Sequence, residues 1–174
     1  ESDFRSRYKL GGVVILLGVS LEWSDYKGLD VFVELAKIID NSRFRIVLVG
    51  IDDSVKSVLP ESIIAIKKTQ SKEKLAQIYS VADYFINPTR EDTFPTVNCE
   101  SIACGTPVIT FSTGGSPETL NGYGVVTENK TAKDILRCVY ELESRENVKS
   151  IPSKDIYNRD LRFMDYVSIY QDRE

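Results

Sequence analysis

The sequence predicts an α/β fold: a doubly wound parallel sheet of about six strands with helices on both faces. Three observations lead there. Apolar runs of strand length recur along the 174 residues, and several are continuous, as strands covered on both faces are. Stretches of helical period separate these runs, so strand and helix alternate, and right-handed crossovers then lay the strands side by side. No internal repeat or low-complexity segment interrupts the order.

Taken in order, Gly12–Gly18 is the first strand, an unbroken apolar run. A turn over Ser20–Gly28 leads into a helix whose apolar face is Leu29, Phe32, Val33, Leu35, Ala36 and Ile39. Phe44–Val49 is the second strand, closed by Gly50; Asp52–Leu59 is a short helix and Ser62–Ile66 the third strand. Ser71 is placed to cap a helix over Lys72–Val81 with Leu75, Ile78 and Tyr79 inward. Asp83–Ile86 is the fourth strand, followed by a helix from Pro95 to Ala103. Pro107–Phe111 and Tyr123–Thr127 complete the sheet, and Thr131 caps an amphipathic helix carrying Ile135, Leu136, Val139 and Leu142. The pattern is Rossmann-like over residues 10–150. Residues 1–9 are polar and read as a linker, and residues 151–174 as a C-terminal helical segment, with Phe163, Tyr166, Val167 and Tyr170, that packs on the domain or leaves it.

Composition narrows the function. The formal net charge is −4 and the pI about 5.1, and the basic residues are scattered among acids, so no nucleic-acid footprint is expected. No apolar run approaches the ~20 residues of a membrane span, and no secretory leader is read. Cys99, Cys104 and Cys138 lack metal-ligand spacing and read as small packed groups in a reducing, cytoplasmic setting. The chain has no histidine, which removes Ser-His-Asp and Cys-His catalysis from its own side chains. Carboxylates, lysine and backbone amides are left.

A sheet of this kind binds ligands beyond the carboxyl ends of its strands. The most specific run lies there, Arg90-Glu-Asp-Thr-Phe-Pro-Thr-Val-Asn-Cys-Glu100. Pro95 suits the first position of a helix and leaves the amides of Thr96 and Val97 free at a positive dipole end, an anion seat fit for a diphosphate. Glu100 shares their face one turn on, and its carboxylate, leaning back toward that end, could accept ribose hydroxyls. Glu91 and Asp92 could accept the hydroxyls of a sugar. Lys27, just before Gly28, offers a point charge for phosphate. Gly114 and Gly115 permit close backbone approach. Each residue alone also has a plain reading, as helix-terminus acid, solvated lysine or tight turn; their joint position at strand ends argues for a site.

From Glu91 to Ile109, and again at Thr113-Gly-Gly-Ser-Pro-Glu118, the sequence resembles the C-terminal, donor-binding domain of family 4 retaining glycosyltransferases of the GT-B fold. The resemblance extends over nearly the whole chain. It implies a nucleotide-sugar donor (UDP-, GDP- or ADP-sugar), with the diphosphate on the amides around Phe94, Pro95, Thr96 and Val97 and on Lys27, and Gly114–Gly115 beside the donor. The family's paired glutamates have seven residues between them; the second falls on Glu100 and the first on Asp92, with Glu91 adjacent. Asp92, Glu91 and Glu100 are thus the expected catalytic acids, and Thr69 and Lys74 the expected base contacts. An arginine that relatives carry about six residues before the Lys-Gly pair is Leu21 here. The resemblance further implies no metal or other cofactor, a missing N-terminal acceptor domain, and a glycan or lipid-linked acceptor. It also implies a place in cell-envelope polysaccharide synthesis, at the inner face of the membrane through the missing half. The isolated domain is expected to be inactive. A nucleotide-binding module without transferase activity is the alternative. A dinucleotide-dependent oxidoreductase is disfavoured by the absent Gly-x-Gly-x-x-Gly turn.

Overall fold

The structure is a computed structural model and describes residues 2–144 together with Tyr157, Asn158, Asp160 and Met164. Its strands are β1 (Val14–Val19), β2 (Phe44–Val49), β3 (Ile63–Ile66), β4 (Tyr84–Asn87), β5 (Val108–Phe111) and β6 (Gly124–Thr127). They form one parallel sheet in the order β3-β2-β1-β4-β5-β6. The order runs one way from β1 to β3 and the other way from β4 to β6. The topological switch point therefore lies between β1 and β4, where such sheets open a crevice for ligand.

Period-two alternation divides each strand between two cores. Leu16, Ile46, Leu48, Ile86, Ile109 and Phe111 face α2 (Leu29–Ile38) and α6 (Ala132–Glu143). Ile15, Leu17, Val47, Val49, Phe85 and Val108 face the opposite layer, α4 (Lys72–Val81) and α5 (Thr96–Ala103). Both sets are nearly solvent-free, which is why the strands read as continuous apolar runs. α3 (Asp53–Lys56) is shorter than the sequence suggests and is capped by Asp52, whose carboxylate accepts the amide of Val55. Ser71 and Thr131 cap α4 and α6 as expected, accepting the amides of Lys74 and Asp134.

Residues 1–9, expected to be a linker, contain a helix, α1 (Ser2–Arg7), packed beside α4. Arg5 explains the docking. Its guanidinium donates to the carbonyls of Leu10, Val13 and Val81 and pairs with Asp83 at 2.9 Å. Asp83 in turn accepts the amide of Ile15, so it closes the start of β1 instead of beginning β4. A single arginine thus joins α1 to the amino-terminal rim of the sheet, through partners far off in sequence. The stretch expected to be helical around Phe163, Tyr166, Val167 and Tyr170 lies outside the described residues.

Candidate functional site

At the switch point, the loops after β1 and β4 enclose a cleft of about 280 Å3 whose wall includes Leu21, Trp23, Lys27, Asp92, Phe94, Pro95, Thr96 and Val97. Its floor is fixed by backbone geometry. Asp25–Lys27 forms one 3-10 turn that ends on Gly28 at φ 74°. A Cβ there would stand 2.5 Å from the Pro88 carbonyl oxygen, so only glycine lets the β1 loop lie against the β4 loop. Trp23 closes the back of the cleft, its indole N–H donating to the Val49 carbonyl at 2.9 Å and its ring edge-on to Phe32.

Arg90 ties the two loops together. Its guanidinium holds both oxygens of Asp30 at 2.7 Å and donates to the Asp25 carbonyl, while its amide donates to Tyr26 at 2.8 Å. Forked pairing of this kind fixes direction as well as distance. The hydrogen bond from Arg90, with its charge, holds Asp30 below its ordinary 3.8. The clamp is therefore in force at neutral pH and fades only as the pH falls through that lowered value. With the turn so fixed, the Lys27 ammonium sits 2.9 Å from one oxygen of Asp92, whose other oxygen accepts the amide of Phe94 at 3.2 Å.

The opposite wall is the first turn of α5. Pro95 stands in the cap position, with extended backbone, one residue earlier than the first helical position that the sequence suggests. No side chain caps the helix. The leading amides are thus served by no capping group, and Thr96 and Val97 border the cleft. A cation, a carboxylate and a positive helix end meet in one cavity, an arrangement that can seat an anion and orient a polar group beside it.

A family model of the group 1 glycosyl transferases matches residues 12–144. The chain belongs to this family. Over 113 residues, 65% of the chain, it is 32% identical to a D-inositol 3-phosphate glycosyltransferase of Mycolicibacterium smegmatis, covering 22% of that protein. It is 44% identical over 48 residues, 28% of the chain, to the protein so named from Mycobacteroides abscessus, covering 11% of it. Among solved structures it resembles sucrose-phosphate synthase of Thermosynechococcus elongatus (TM-score 0.76, 21% identity, 99% of this chain and 48% of that one). It also resembles HepE of Anabaena, solved with UDP and glucose (TM-score 0.76, 15% identity, 99% and 52%). The fold is the Rossmann-like fold of GT-B glycosyltransferases, and the chain spans about half the length of these solved neighbours.

In this glycosyltransferase domain the cleft gathers Lys27, Asp92, Phe94, Pro95, Thr96 and Val97. Gly28 is buried behind them, against Pro88. Glu91 is solvent-exposed. Glu100 is also exposed, on the α5 face toward α4, where it accepts the hydroxyl of Tyr79 at 3.2 Å. Gly114 and Gly115 approach backbone: Cβ atoms there would stand 1.9 Å from the Asp92 and 2.3 Å from the Thr93 carbonyl oxygens, and Gly115 donates to Thr93 at 3.0 Å. The glycine pair thus supports the Asp92 loop. Thr69 and Lys74 border a separate groove, between α4 and α1. Leu21, in the place of the relatives' arginine, is 78% exposed at the cleft mouth.

Two sets of residues escaped the sequence reading. Arg90 is one. The other is a buried chain of amides and hydroxyls: Asn87 donates to Asn98 at 2.8 Å, Asn98 to the Thr119 hydroxyl at 2.8 Å, and Thr119 to the Ser116 carbonyl at 2.6 Å. It connects the end of β4, the first turn of α5 and the loop after β5. Nothing local in the sequence marks it, since each partner comes from a different element.

Proposed function

We propose that this domain binds the nucleotide-sugar donor of a family 4 retaining glycosyltransferase that serves a glycan or lipid-linked acceptor, and that the partner half of the full-length protein supplies the acceptor site. The observation that carries the reading is the meeting of Lys27, Asp92 and the uncapped start of α5 in one cleft at the switch point. In this reading the donor's diphosphate lies on the amides of Thr96 and Val97, with Phe94 and Pro95 shaping the wall. Lys27 leaves Asp92 to meet the phosphates and offsets the charge of the departing diphosphate. Asp92, with Glu91 nearby, accepts hydroxyls of the sugar; each carboxylate oxygen has a lone pair beyond those that Lys27 and the Phe94 amide engage. Glu100 accepts the ribose hydroxyls, and the base extends out of the cleft toward Thr69 and Lys74, which border the groove between α4 and α1. A uridine nucleotide is favoured because HepE was solved with UDP and with UDP-glucose.

Lysine and helix end supply the positive charge, so binding is proposed to need no metal. The exposed Leu21, where a second cation is expected, favours weaker phosphate binding, or else a nucleotide-binding module without transfer activity. A thermal-shift panel of UDP-, GDP- and ADP-sugars in EDTA tests the reading. One of them, at a hundredfold excess over its dissociation constant, stabilises the chain by about 2.7 kcal/mol. Stabilisation that appears only on adding magnesium or manganese contradicts the metal-free seat.

A further inference from the structure

We infer that Tyr79 is a positioning residue for the ribose, acting through Glu100. The inference rests on the proposed role of Glu100 as the acceptor of ribose hydroxyls. Tyr79 lies on α4 and is 1% exposed, its ring edge-on to Phe85 with centroids 5.4 Å apart. The Thr106 hydroxyl donates to its carbonyl at 2.6 Å, which fixes the backbone as well. The phenol oxygen meets α5 at the edge of this core. There its hydroxyl donates to Glu100 at 3.2 Å, across the contact between α4 and α5.

Packing of an apolar ring does not require that hydroxyl; a phenylalanine would fill the same space. The carboxylate it meets is on an exposed side chain with no other side-chain hydrogen bond among the described residues. Glutamate on a helix surface has three rotatable bonds and samples many orientations. A rigid, buried donor on one oxygen selects among them and leaves the second oxygen, with a lone pair on the first, for a ligand's vicinal hydroxyls. Burial and the Glu100 carboxylate both raise the phenol's pKa above its ordinary value, so the hydroxyl keeps its proton, and can donate it, at neutral pH. Tyr79 does not touch the ligand. It determines how well Glu100 distinguishes a nucleotide that has both ribose hydroxyls from one that lacks either.

The test is a set of calorimetric titrations with UDP, 2′-deoxy-UDP and 3′-deoxy-UDP on the wild-type chain, Tyr79→Phe and Glu100→Ala. Tyr79→Phe keeps the ring and leaves only an exposed carboxylate without its partner, so the fold is retained. The wild type should prefer UDP by about tenfold, the scale of a hydrogen bond to a charged group. Tyr79→Phe should reduce that preference to about threefold or less while binding 2′-deoxy-UDP as the wild type does. A tyrosine that served only packing would change all three affinities together and leave their ratios intact; that outcome overturns the inference while the Glu100 reading stands. A wild type without ribose preference, or a Glu100→Ala variant that retains it, overturns the Glu100 reading and the inference with it.

Discussion

Replacing Asn98 by alanine should lower the stability of this domain by about 3 kcal/mol, a loss out of proportion to the atoms removed. Asn98 is fully buried and stands in the middle of a chain of hydrogen bonds, accepting from Asn87 and donating to Thr119. Deleting it strands the Asn87 amide, which is only 8% exposed and loses its side-chain acceptor. An unsatisfied buried donor costs the full desolvation penalty, and a cavity adds to it. At roughly 2–4 °C per kcal/mol for a domain of this size, the midpoint of thermal unfolding should fall by about 6–12 °C. The Ser116–Thr119 segment should loosen with it, since Thr119 loses its donor. A fall of less than about 2 °C would mean that the network contributes little and that α5 is held by apolar contacts alone.

The second large effect is on binding. Lys27→Ala should weaken UDP binding by about ten- to a hundredfold, the loss of a charge-assisted contact to phosphate. Its effect on folding should be small, because the Lys27–Asp92 pair is partly exposed, with side chains at 38% and 22%, and such pairs contribute about 0–1 kcal/mol. Asp92→Ala should act in the opposite sense on the free nucleotide. Freed of its counter-ion, Lys27 meets the diphosphate without first leaving a partner, so UDP binds as tightly as before or more tightly. UDP-glucose should lose affinity, because the carboxylate that accepts sugar hydroxyls is gone. Titrating both ligands against both variants separates the roles. Equal losses of UDP and UDP-glucose in Asp92→Ala would make Asp92 a support for Lys27 and remove it from the sugar.

Those two residues show what could be read from sequence and what could not. Lys27 and Asp92 lie 65 positions apart, yet both were legible, because the doubly wound pattern puts each beyond the carboxyl end of a strand; that those strands are neighbours at the switch point came from the structure. The strands were legible for a related reason: burial on both faces leaves uninterrupted apolar runs such as Ile15–Leu17 and Ile46–Val49. Boundaries shifted where a polar side chain competes with the ladder, as Asp83 does by taking the Ile15 amide before β4 begins. Pro95 shifted by one position for a backbone reason, its extended ψ of 100° placing it outside the first turn.

What escaped was non-local. Arg5 reaches Val81 and Asp83 from the amino terminus, and nothing in a polar nine-residue stretch announces such an anchor. Arg90 looks like one more solvated cation until the turn at Asp25–Lys27 is folded against it. The glycine pair at 114–115 was legible as a place of close approach but not as to its partner, which is the Asp92–Thr93 backbone. Asn87 and Asn98 read as ordinary polar residues, and only their burial side by side gives them a role.

Amide hydrogen exchange on the 174-residue chain, with and without saturating UDP in EDTA, tests the central claim most directly, because it locates the nucleotide on the fold. The account predicts slower exchange at Thr96 and Val97, whose amides would bind the diphosphate, and in the Asp25–Gly28 turn that carries Lys27. Exchange in α6, which covers the sheet away from the cleft, should not change beyond the general stabilisation. Protection confined to the groove between α1 and α4, or no protection by UDP at millimolar concentration in a chain that is otherwise folded, would contradict a donor seat at the junction of β1 and β4.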